Sequence, residues 1–341
     1  MVWRLSPRSG PGRPAVCDLP GVRSGPDVAQ PFRQGRFEDL PERPRLPHRY
    51  YEAQTATVVV PSAPFGPIAT HVVSYGPADA LPLLLIHGLM TTGYSWRYMF
   101  EPLGERYRLV VPDLPGCGRS AVPAAERPLS GVALGTFIGE LQDTLGIGGC
   151  ATVGNSLGGY LCMHAALRDP TSFQRLAVIH APGVLDLRLA GLHVGLKLPG
   201  AKAIFERVVR HDPLRFAHSN VHYYDETLKS LEEAHEYGDP LASVAGARAF
   251  IRYLDGALDA RELRTFERVL RSRRDSGAGL ALPLMLVYSR EDPTVPPQTG
   301  PRLHALVPAG EFHWMGETSH FPQVDRPQRL AELLVDFLER S

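Results

Sequence analysis

The sequence predicts an α/β fold in which helices cover both faces of a mostly parallel, twisted sheet. The first observation behind this prediction is a series of short apolar runs without polar alternation, which is typical of strands buried on both faces. The second is that stretches with helical spacing separate these runs, so that strand and helix alternate along the chain. The predicted parallel strands span residues 83–86, 109–111, 151–153, 176–179, 284–288 and 311–315.

Two earlier strands and a set of helices complete this fold prediction. The segments YYEAQTATVVV and IATHVVSYG are rich in β-branched residues, and PSAPFGP separates them, so they predict an antiparallel pair. The segment QRLAELLVDFLER has apolar residues at helical spacing and predicts an amphipathic helix that closes the domain. The other predicted helices of the alternating series span residues 94–103, 132–145, 157–168 and 299–306.

The alternation of strand and helix stops between about residues 183 and 278. Segments such as AKAIFERVVR and VAGARAFIRYLDGAL have helical spacing, and no good strand follows until residue 284. The sequence therefore predicts a helical insertion at 183–278. It divides the α/β core into a first part at 49–182 and a second part at 279–341.

Residues 1–48 differ in composition from the rest of the chain. They contain nine prolines and eight arginines and show no periodic apolar pattern. Such a segment buries too little apolar surface to offset the entropy of ordering, which predicts a disordered extension. The alternative is a targeting arm, although the segment has no apolar stretch of the kind that a signal peptide needs.

Charge and cysteine content restrict the possible partners and compartment. The 36 basic and 36 acidic residues cancel, so the chain lacks the electrostatic footprint of a nucleic-acid-binding protein. No apolar run approaches the roughly 20 residues that cross a bilayer. The four cysteines show no metal-binding spacing, which favours reduced thiols and a cytoplasmic location. The composition leaves the oligomeric state open.

The segment ATVGNSLGGYLCMHAAL carries the first candidate site residue. Gly154–Gly158 forms a GxSxG motif that directly follows a predicted strand and directly precedes a predicted helix. This setting places Ser156 on a sharp turn above the sheet, where the backbone N–H of Leu157 points toward a developing oxyanion. Gly154 and Gly158 permit the close approach of neighbouring backbone. The alternative is a glycine-rich turn with an inert serine.

A nucleophilic serine needs a general base and an acid that orients the base. Asp292 follows the predicted strand at 284–288, and His320 follows the next one, so both lie at the carboxyl edge of the sheet. The order serine, acid, histidine is the one this topology requires. Glu291 and Asp186 remain alternative acids, and a histidine with only local hydrogen bonds remains the alternative for His320.

The segment LLLIHGLMTTGYSW supplies a candidate for the second oxyanion donor. The predicted strand ends at Ile86, and the backbone N–H of Leu89 lies in the loop that follows. Gly88 lets this backbone approach a substrate oxygen, and His87 is expected to hold the loop through side-chain hydrogen bonds. The segment PDLPGCGRS is expected to be scaffold near the site.

The sequence offers weak support for metal chemistry. His218 and His222 are four residues apart near Asp212, but no third ligand has a defined spacing. We therefore expect exposed histidines there, with neither a metal nor an organic cofactor.

These blocks together resemble the α/β-hydrolase superfamily. The resemblance covers about residues 51–341 outside the insertion, and its motifs HGLMTTGYSW, DLPGCGRS, GNSLGG and REDPTVP with SHFPQVDRP follow one another in the expected order. It implies that Ser156, Asp292 and His320 form a catalytic triad, with Leu89 and Leu157 at the oxyanion hole. It also implies a helical lid at 183–278. Related dehalogenases and epoxide hydrolases use an aspartate nucleophile, so serine at position 156 argues against both.

The activity expected from this resemblance is cleavage of a carboxylic ester of a small to medium apolar substrate through an acyl-enzyme. The elbow GNSLGG also resembles that of carbon–carbon bond hydrolases acting on ring-cleavage products, which are the second expectation. Acyl transfer is a further possibility for the same site. A non-catalytic small-molecule binder is the alternative from another class, because fold alone does not fix function.

Overall fold

The computed structural model describes residues 31–340 of the chain. Within this range eight strands form one sheet, in the spatial order β1-β2-β4-β3-β5-β6-β7-β8. None of the described helices combines the length and apolar character that crossing a membrane would require. The strands are β1 Gln54–Ser62, β2 Gly66–Tyr75, β3 Pro82–Ile86, β4 Arg108–Pro112, β5 Ala151–Asn155, β6 Leu176–Ile179, β7 Leu284–Tyr288 and β8 Glu311–Trp314.

The strand pairing confirms the predicted mostly parallel sheet. β1 pairs antiparallel with β2, and β2 pairs antiparallel with β4. The pairs from β4 through β3, β5, β6 and β7 to β8 are all parallel. The carboxyl ends of these six strands therefore meet at one edge of the sheet, which is where α/β sheets build their sites.

Helices follow most of the parallel strands. In the first part of the core the helices are α1 Phe100–Gly104, α2 Gly131–Leu145 and α3 Leu157–Arg168. Between β6 and β7 come α4 Leu187–Leu196, α5 Ala201–His211, α6 Pro213–Asn220, α7 Leu231–Ala242, α8 Val244–Asp255 and α9 Ala260–Asp275, called here the six-helix segment. The chain ends with α10 Thr299–His304, α11 Pro322–Asp325 and α12 Pro327–Leu338.

Four short 3-10 turns accompany these helices. They span Phe37–Asp39, Tyr50–Glu52, Gly93–Met99 and Glu226–Leu228. The helical stretch predicted at 94–103 is present in two parts, because the 3-10 turn Gly93–Met99 leads directly into the short helix α1. Pro102 lies in the first turn of α1, where its missing N–H costs little.

The two faces of the sheet have separate cores. On β3 the side chains of Leu84 and Ile86 pack into one cluster, and those of Leu83 and Leu85 into the other. All four are completely buried, as expected of a strand covered on both faces. Side chains of α2 and α3 complete the first cluster, whereas α1 and α12 contribute to the second.

The prediction of a disordered extension at 1–48 is wrong for residues 31–48, which are ordered in the structure. Residues 1–30 lie outside the described residues. Residues 31–48 make specific contacts with the six-helix segment. The backbone N–H of Phe32 donates to the Tyr224 carbonyl at 3.1 Å, and the N–H of Leu231 donates to the Pro41 carbonyl at 2.8 Å. These tertiary contacts supply the stabilisation that the local sequence lacks.

Candidate active site

Ser156 occupies a sharp turn between β5 and α3. Its backbone angles are φ 53° and ψ −122°, in a region that is costly for a residue with a side chain. Its N–H donates to the Ile179 carbonyl at 2.6 Å, which anchors the turn to β6. The neighbouring residues of β5 and α3 are buried, but Ser156 is partly exposed. The turn therefore presents the serine hydroxyl at the carboxyl edge of the sheet.

The two glycines of the motif are required by close packing. A Cβ on Gly158 would lie 2.4 Å from the Ile86 carbonyl oxygen, and a Cβ on Gly154 would lie 2.5 Å from the Gly159 nitrogen. Real Cβ atoms do not approach backbone atoms so closely, so a side chain at either position would displace the turn.

Asp292 and His320 lie together in the loops after β7 and β8. The His320 Nδ1 atom is 2.7 Å from Asp292 Oδ2. The other carboxylate oxygen, Oδ1, accepts the N–H groups of Thr294 at 2.7 Å and Val295 at 3.0 Å. Burial alone would raise the pKa of Asp292, but the imidazoles of His320 and His180 outweigh it and hold this pKa far below its usual range. Asp292 is therefore a fixed anion that orients the His320 ring.

Two contacts connect the serine turn with the histidine loop. The side-chain amide of Asn155, the residue before Ser156, donates to the His320 carbonyl at 3.1 Å. The Ile179 carbonyl accepts the Ser156 N–H, and the ring of the next residue, His180, contacts Asp292. The structure thus brings the loops of Ser156, Asp292 and His320 together at one edge of the sheet.

Sequence analysis missed His180. Its Nδ1 atom lies 2.7 Å from Asp292 Oδ2, and the side chain is completely buried. The available signal was a histidine at the end of an otherwise apolar strand, in LAVIH, where a buried polar group needs a partner.

The loop after β3 lies directly against the serine. A Cβ on Gly88 would be 3.1 Å from the Ser156 Cβ, so the absence of a side chain keeps space open there. His87 fastens this loop, since its Nδ1 donates to the Gly88 carbonyl at 2.8 Å and its Nε2 accepts the Leu114 N–H at 2.9 Å. Burial lowers the pKa of His87, so it stays neutral in this bridging role.

The two candidate oxyanion donors belong to the two loops that meet at Ser156. Leu89 is in the turn that follows Gly88, where Met90 has a positive φ of 64°. Leu157 is the first residue of α3, so its N–H has no partner within the helix. The N-terminal end of a helix carries partial positive charge, which favours an anion at this place.

Asp113 ties two loops of the scaffold together and was also missed as a named residue. Its carboxylate accepts the N–H of Gly93 at 2.8 Å and the N–H of Arg119 at 2.9 Å. The segment DLPGCGRS thus contacts the chain that follows β3 through the Asp113 carboxylate.

The alternative residues have other partners. Glu291 accepts the Ser289 hydroxyl at 2.7 Å, although it precedes Asp292 directly. His222 pairs with Glu226 at 3.1 Å, and His218 lies 3.2 Å from the Gly35 carbonyl, so they do not share a ligand. Asp186 stands at the start of α4, with no described contact to His320.

Among residues 31–340, one group of histidine and carboxylate atoms is close enough to suit a metal, namely His180, Asp292 and His320. The His320–Asp292 contact of 2.7 Å is a hydrogen bond, and the His180 Nδ1 atom lies at the same distance from Asp292 Oδ2.

Residues 82–327 match the family model described as alpha/beta hydrolase fold. The chain belongs to the alpha/beta hydrolase fold family. A 2-hydroxymuconate semialdehyde hydrolase from Pseudomonas sp. strain CF600 is 28% identical over 268 residues, which is 76% of this chain and 87% of that protein. An uncharacterized hydrolase, YugF, from Bacillus subtilis strain 168 is 25% identical over 260 residues, 75% of this chain and 89% of that protein.

Solved structures agree with this fold. A point mutant of the meta-cleavage product hydrolase CumD superimposes with a TM-score of 0.60 at 21% identity, covering 83% of this chain and 99% of that chain. The carboxylesterase CesB from Bacillus subtilis has a TM-score of 0.56 at 19% identity, covering 84% and 92%. At these identities the two structures establish the fold alone.

A small apolar cavity of about 20 Å³ lies beside the loop after β3 in this alpha/beta hydrolase fold. Leu89 and Met90 line one side of it. Helices α7 and α8 line the opposite side with Leu241, Phe250 and Tyr253. The six-helix segment therefore forms the wall that faces one of the candidate oxyanion donors.

Proposed function

We propose that this protein is a serine hydrolase that cleaves a carboxylic ester of a small to medium apolar substrate through an acyl-enzyme on Ser156. The observation that carries the proposal is a strained, partly exposed serine at the sheet edge where a buried histidine–aspartate pair also lies. Strained backbone persists at functional sites when the surrounding structure over-determines it. An inert serine in the same turn would gain nothing from that strain.

In the proposed mechanism His320 is the general base. Its Nδ1–H donates to Asp292, so the other ring nitrogen, Nε2, is the one left to take the proton of the Ser156 hydroxyl. The serine oxygen then attacks the acyl carbon of the ester. The Asp292 carboxylate stabilises the imidazolium that forms and holds the ring in the required tautomer. His320 finally protonates the leaving alcohol, and a water molecule hydrolyses the acyl-enzyme by the same route.

The oxyanion of the tetrahedral intermediate is assigned to the N–H groups of Leu89 and Leu157. The support for this assignment is that Leu89 follows Gly88, which lies against Ser156, and that Leu157 directly follows Ser156 and begins α3. Each such donor is typically worth about 2.7–4 kcal/mol of transition-state stabilisation. Backbone donors need no reorganisation during the reaction, so their contribution depends on the rigid loop that His87 and Asp113 hold.

The substrate class is proposed from the walls of the apolar cavity. Leucine, methionine and phenylalanine side chains favour an apolar acyl or alcohol group. Tyr223 is no candidate for binding substrate, because its buried hydroxyl donates to Glu233 at 2.6 Å. We propose the six-helix segment, at 183–278, as the lid over this cavity.

A second candidate is hydrolysis of a carbon–carbon bond in diketo acids from ring cleavage. The observation that favours it is the sequence relative named as a 2-hydroxymuconate semialdehyde hydrolase, which matches over most of this chain. The two activities are separated by comparing turnover of apolar esters with turnover of vinylogous diketo acids. Preference for the diketo acids with little ester cleavage would replace our proposal with this one.

The test of the nucleophile uses a fluorophosphonate probe and intact-mass measurement. Wild-type protein is expected to gain one label, and Ser156→Ala none. Ser276→Ala is the matched control, since Ser276 is an exposed serine at the end of α9 and should leave labelling unchanged. A folded wild type that gains no label would contradict the proposal and favour a non-catalytic binder, which ligand-induced stabilisation without turnover would then identify.

A further inference from the structure

His180 has an unusual backbone for a buried residue at the end of a strand. It follows the last residue of β6, its side chain is completely buried, and its φ of 50° lies in the left-handed region. A non-glycine residue in this region carries a conformational cost. Some interaction of the side chain must offset that cost, and the contact with Asp292 is the candidate.

Asp292 receives donors on both of its oxygens. Thr294 and Val295 donate to Oδ1 from the backbone, and the Nδ1 atoms of His320 and His180 each lie 2.7 Å from Oδ2. Two lone pairs would repel at 2.7 Å, so Nδ1 of His180 carries a proton. Unlike the N–H of His320, its N–H does not point at the oxygen, so this contact is a close electrostatic one and not a hydrogen bond, and the His180 Nε2 atom has no hydrogen-bond partner among the described residues. The four contacts use the full accepting capacity of a carboxylate.

The charged and titratable groups around His180 come from three elements. Asp292 and His320 lie in the loops after β7 and β8, and Tyr288 is the last residue of β7. The His180 and His320 rings are 5.5 Å apart between centroids, as are those of His180 and Tyr288. The Tyr288 hydroxyl donates to the Ala181 carbonyl and stays neutral. Burial lowers the pKa of His180, so it faces Asp292 as a neutral imidazole.

We propose that His180 is a positioning residue whose Nδ1–H lies against the Asp292 carboxylate and weakens its attraction for the imidazolium form of His320. This inference rests on the proposed function, because it assigns His320 as the base. A carboxylate that is shared between two donors stabilises each of them less than one that serves a single donor. The shared arrangement therefore keeps His320 neutral, and so able to accept a proton, at lower pH than Asp292 alone would allow.

Two substitutions at position 180 separate the effect of the N–H group from the effects of backbone conformation and packing. His180→Asn keeps an N–H near the position of Nδ1, and asparagine tolerates the left-handed region. His180→Leu fills a similar volume without a donor. The labelling rate of Ser156 should fall at low pH as His320 becomes protonated, and we call this fall the acid limb. We expect the acid limb to move upward by about 0.5–1 pH unit in His180→Leu, the size of one lost electrostatic contact to the carboxylate. In His180→Asn this limb should stay near that of the wild type.

The second readout is the pH titration of the His320 ring by NMR, which needs no substrate. It should show the same upward shift of the His320 pKa in His180→Leu. An unchanged acid limb in this variant, or equal shifts in both variants, would overturn the role of His180. If His180→Leu does not fold, His180→Gly removes the donor while it relieves the left-handed strain.

The two proposals fail in distinguishable ways. A wild type that gains no fluorophosphonate label overturns the proposed function, whatever the His180 variants do. The NMR titration of His320 then still decides whether His180 competes for Asp292. A wild type that labels normally, with identical acid limbs in the donor and donor-free variants, overturns only the role of His180.

Discussion

The loops at the carboxyl edge of the sheet and the six-helix segment are held by different forces. The loops depend on strained backbone and a dense polar network, with Ser156 in a left-handed conformation and Asp292 accepting donors on both oxygens. The six-helix segment has deeply buried ion pairs on its α7 side, among them Lys229–Glu226 and Arg97–Glu233. Arg97 donates to Glu233 at 2.6 Å, and their side chains are 0% and 4% exposed.

The other side of the six-helix segment is far less buried. Leu198, Ile204 and Val208 around the α4–α5 turn are all more than half exposed. We therefore expect substitutions in the loops to affect chemistry and substitutions of buried residues on the α7 side to affect stability. Substitutions of exposed residues on the α4–α5 side should affect neither. Four measurements, from the largest expected effect to the smallest, test this division.

Ser156→Ala should remove catalysis and leave stability nearly unchanged. Loss of the nucleophile typically lowers kcat by about 10⁴-fold or more. The backbone strain of the turn remains with alanine, so the free energy of unfolding should change by less than about 1 kcal/mol. Ester turnover and urea unfolding of the same preparation check both values. A loss of both ester turnover and stability would show that Ser156 also supports the fold.

Arg97→Met should have the opposite effect. Removing one partner leaves Glu233 buried without its counter-charge, which typically costs about 3–5 kcal/mol. Urea unfolding measures this loss, and kcat per folded molecule should change little. Arg106→Met is the control, since the Arg106–Glu339 pair is 56% and 49% exposed and should contribute less than about 1 kcal/mol. Equal losses in the two variants would contradict the importance of burial.

Asp325 connects the two regions and should make stability depend on pH. Its carboxylate accepts the Ser319 N–H and hydroxyl at 2.7 and 2.6 Å, beside His320, and the Tyr224 N–H at 2.8 Å, between α6 and α7. Burial raises the pKa of Asp325 to about 6. The folded protein therefore holds a proton that the unfolded chain releases near pH 4.

The sign follows from this uptake of a proton on folding. Asp325 alone should lower the free energy of unfolding by about 3 kcal/mol as pH rises from about 4 to 6. Buried histidines such as His164, whose pKa burial lowers to about 4, act in the opposite direction over the same range. The contribution of Asp325 is therefore read as a difference: between pH 4 and 6 the free energy of unfolding of Asp325→Asn should rise by about 3 kcal/mol relative to the wild type, whereas Asp336→Asn, on an exposed residue of α12, should keep the wild-type slope. An unchanged slope in Asp325→Asn would disprove the assignment.

Ile204→Ser should have the smallest effect. The Ile204 side chain is 67% exposed on α5, so the free energy of unfolding should change by no more than about 0.5 kcal/mol. Val209→Ala on the same helix is the contrast, because Val209 is completely buried and should cost about 2 kcal/mol. A larger loss for Ile204→Ser would mean that this exposed side of the segment is covered in solution.

The sequence predicted the structure best where a strand, a turn and a helix follow one another directly. The strand–glycine–serine–helix order of β5 and α3 was predicted because it depends on neighbouring residues, and both predicted boundaries of α3 agree with the structure. The helical stretch predicted at 94–103 is present, but its division into a 3-10 turn and a short α-helix was not predicted. Residues 31–48 were misjudged because their order comes from contacts with distant residues such as Tyr224 and Leu231.

The sequence by itself determined the alternation of strands and helices, and it nominated Ser156, Asp292 and His320 through their order after predicted strands. These features depend on periodicity and turn chemistry, which are local properties of the chain. Only the tertiary structure decided that Asp292 and not Glu291 contacts His320, because adjacent residues point in different directions. It alone showed that His180 shares the same carboxylate oxygen, since that contact joins residues 112 positions apart, which no local pattern encodes.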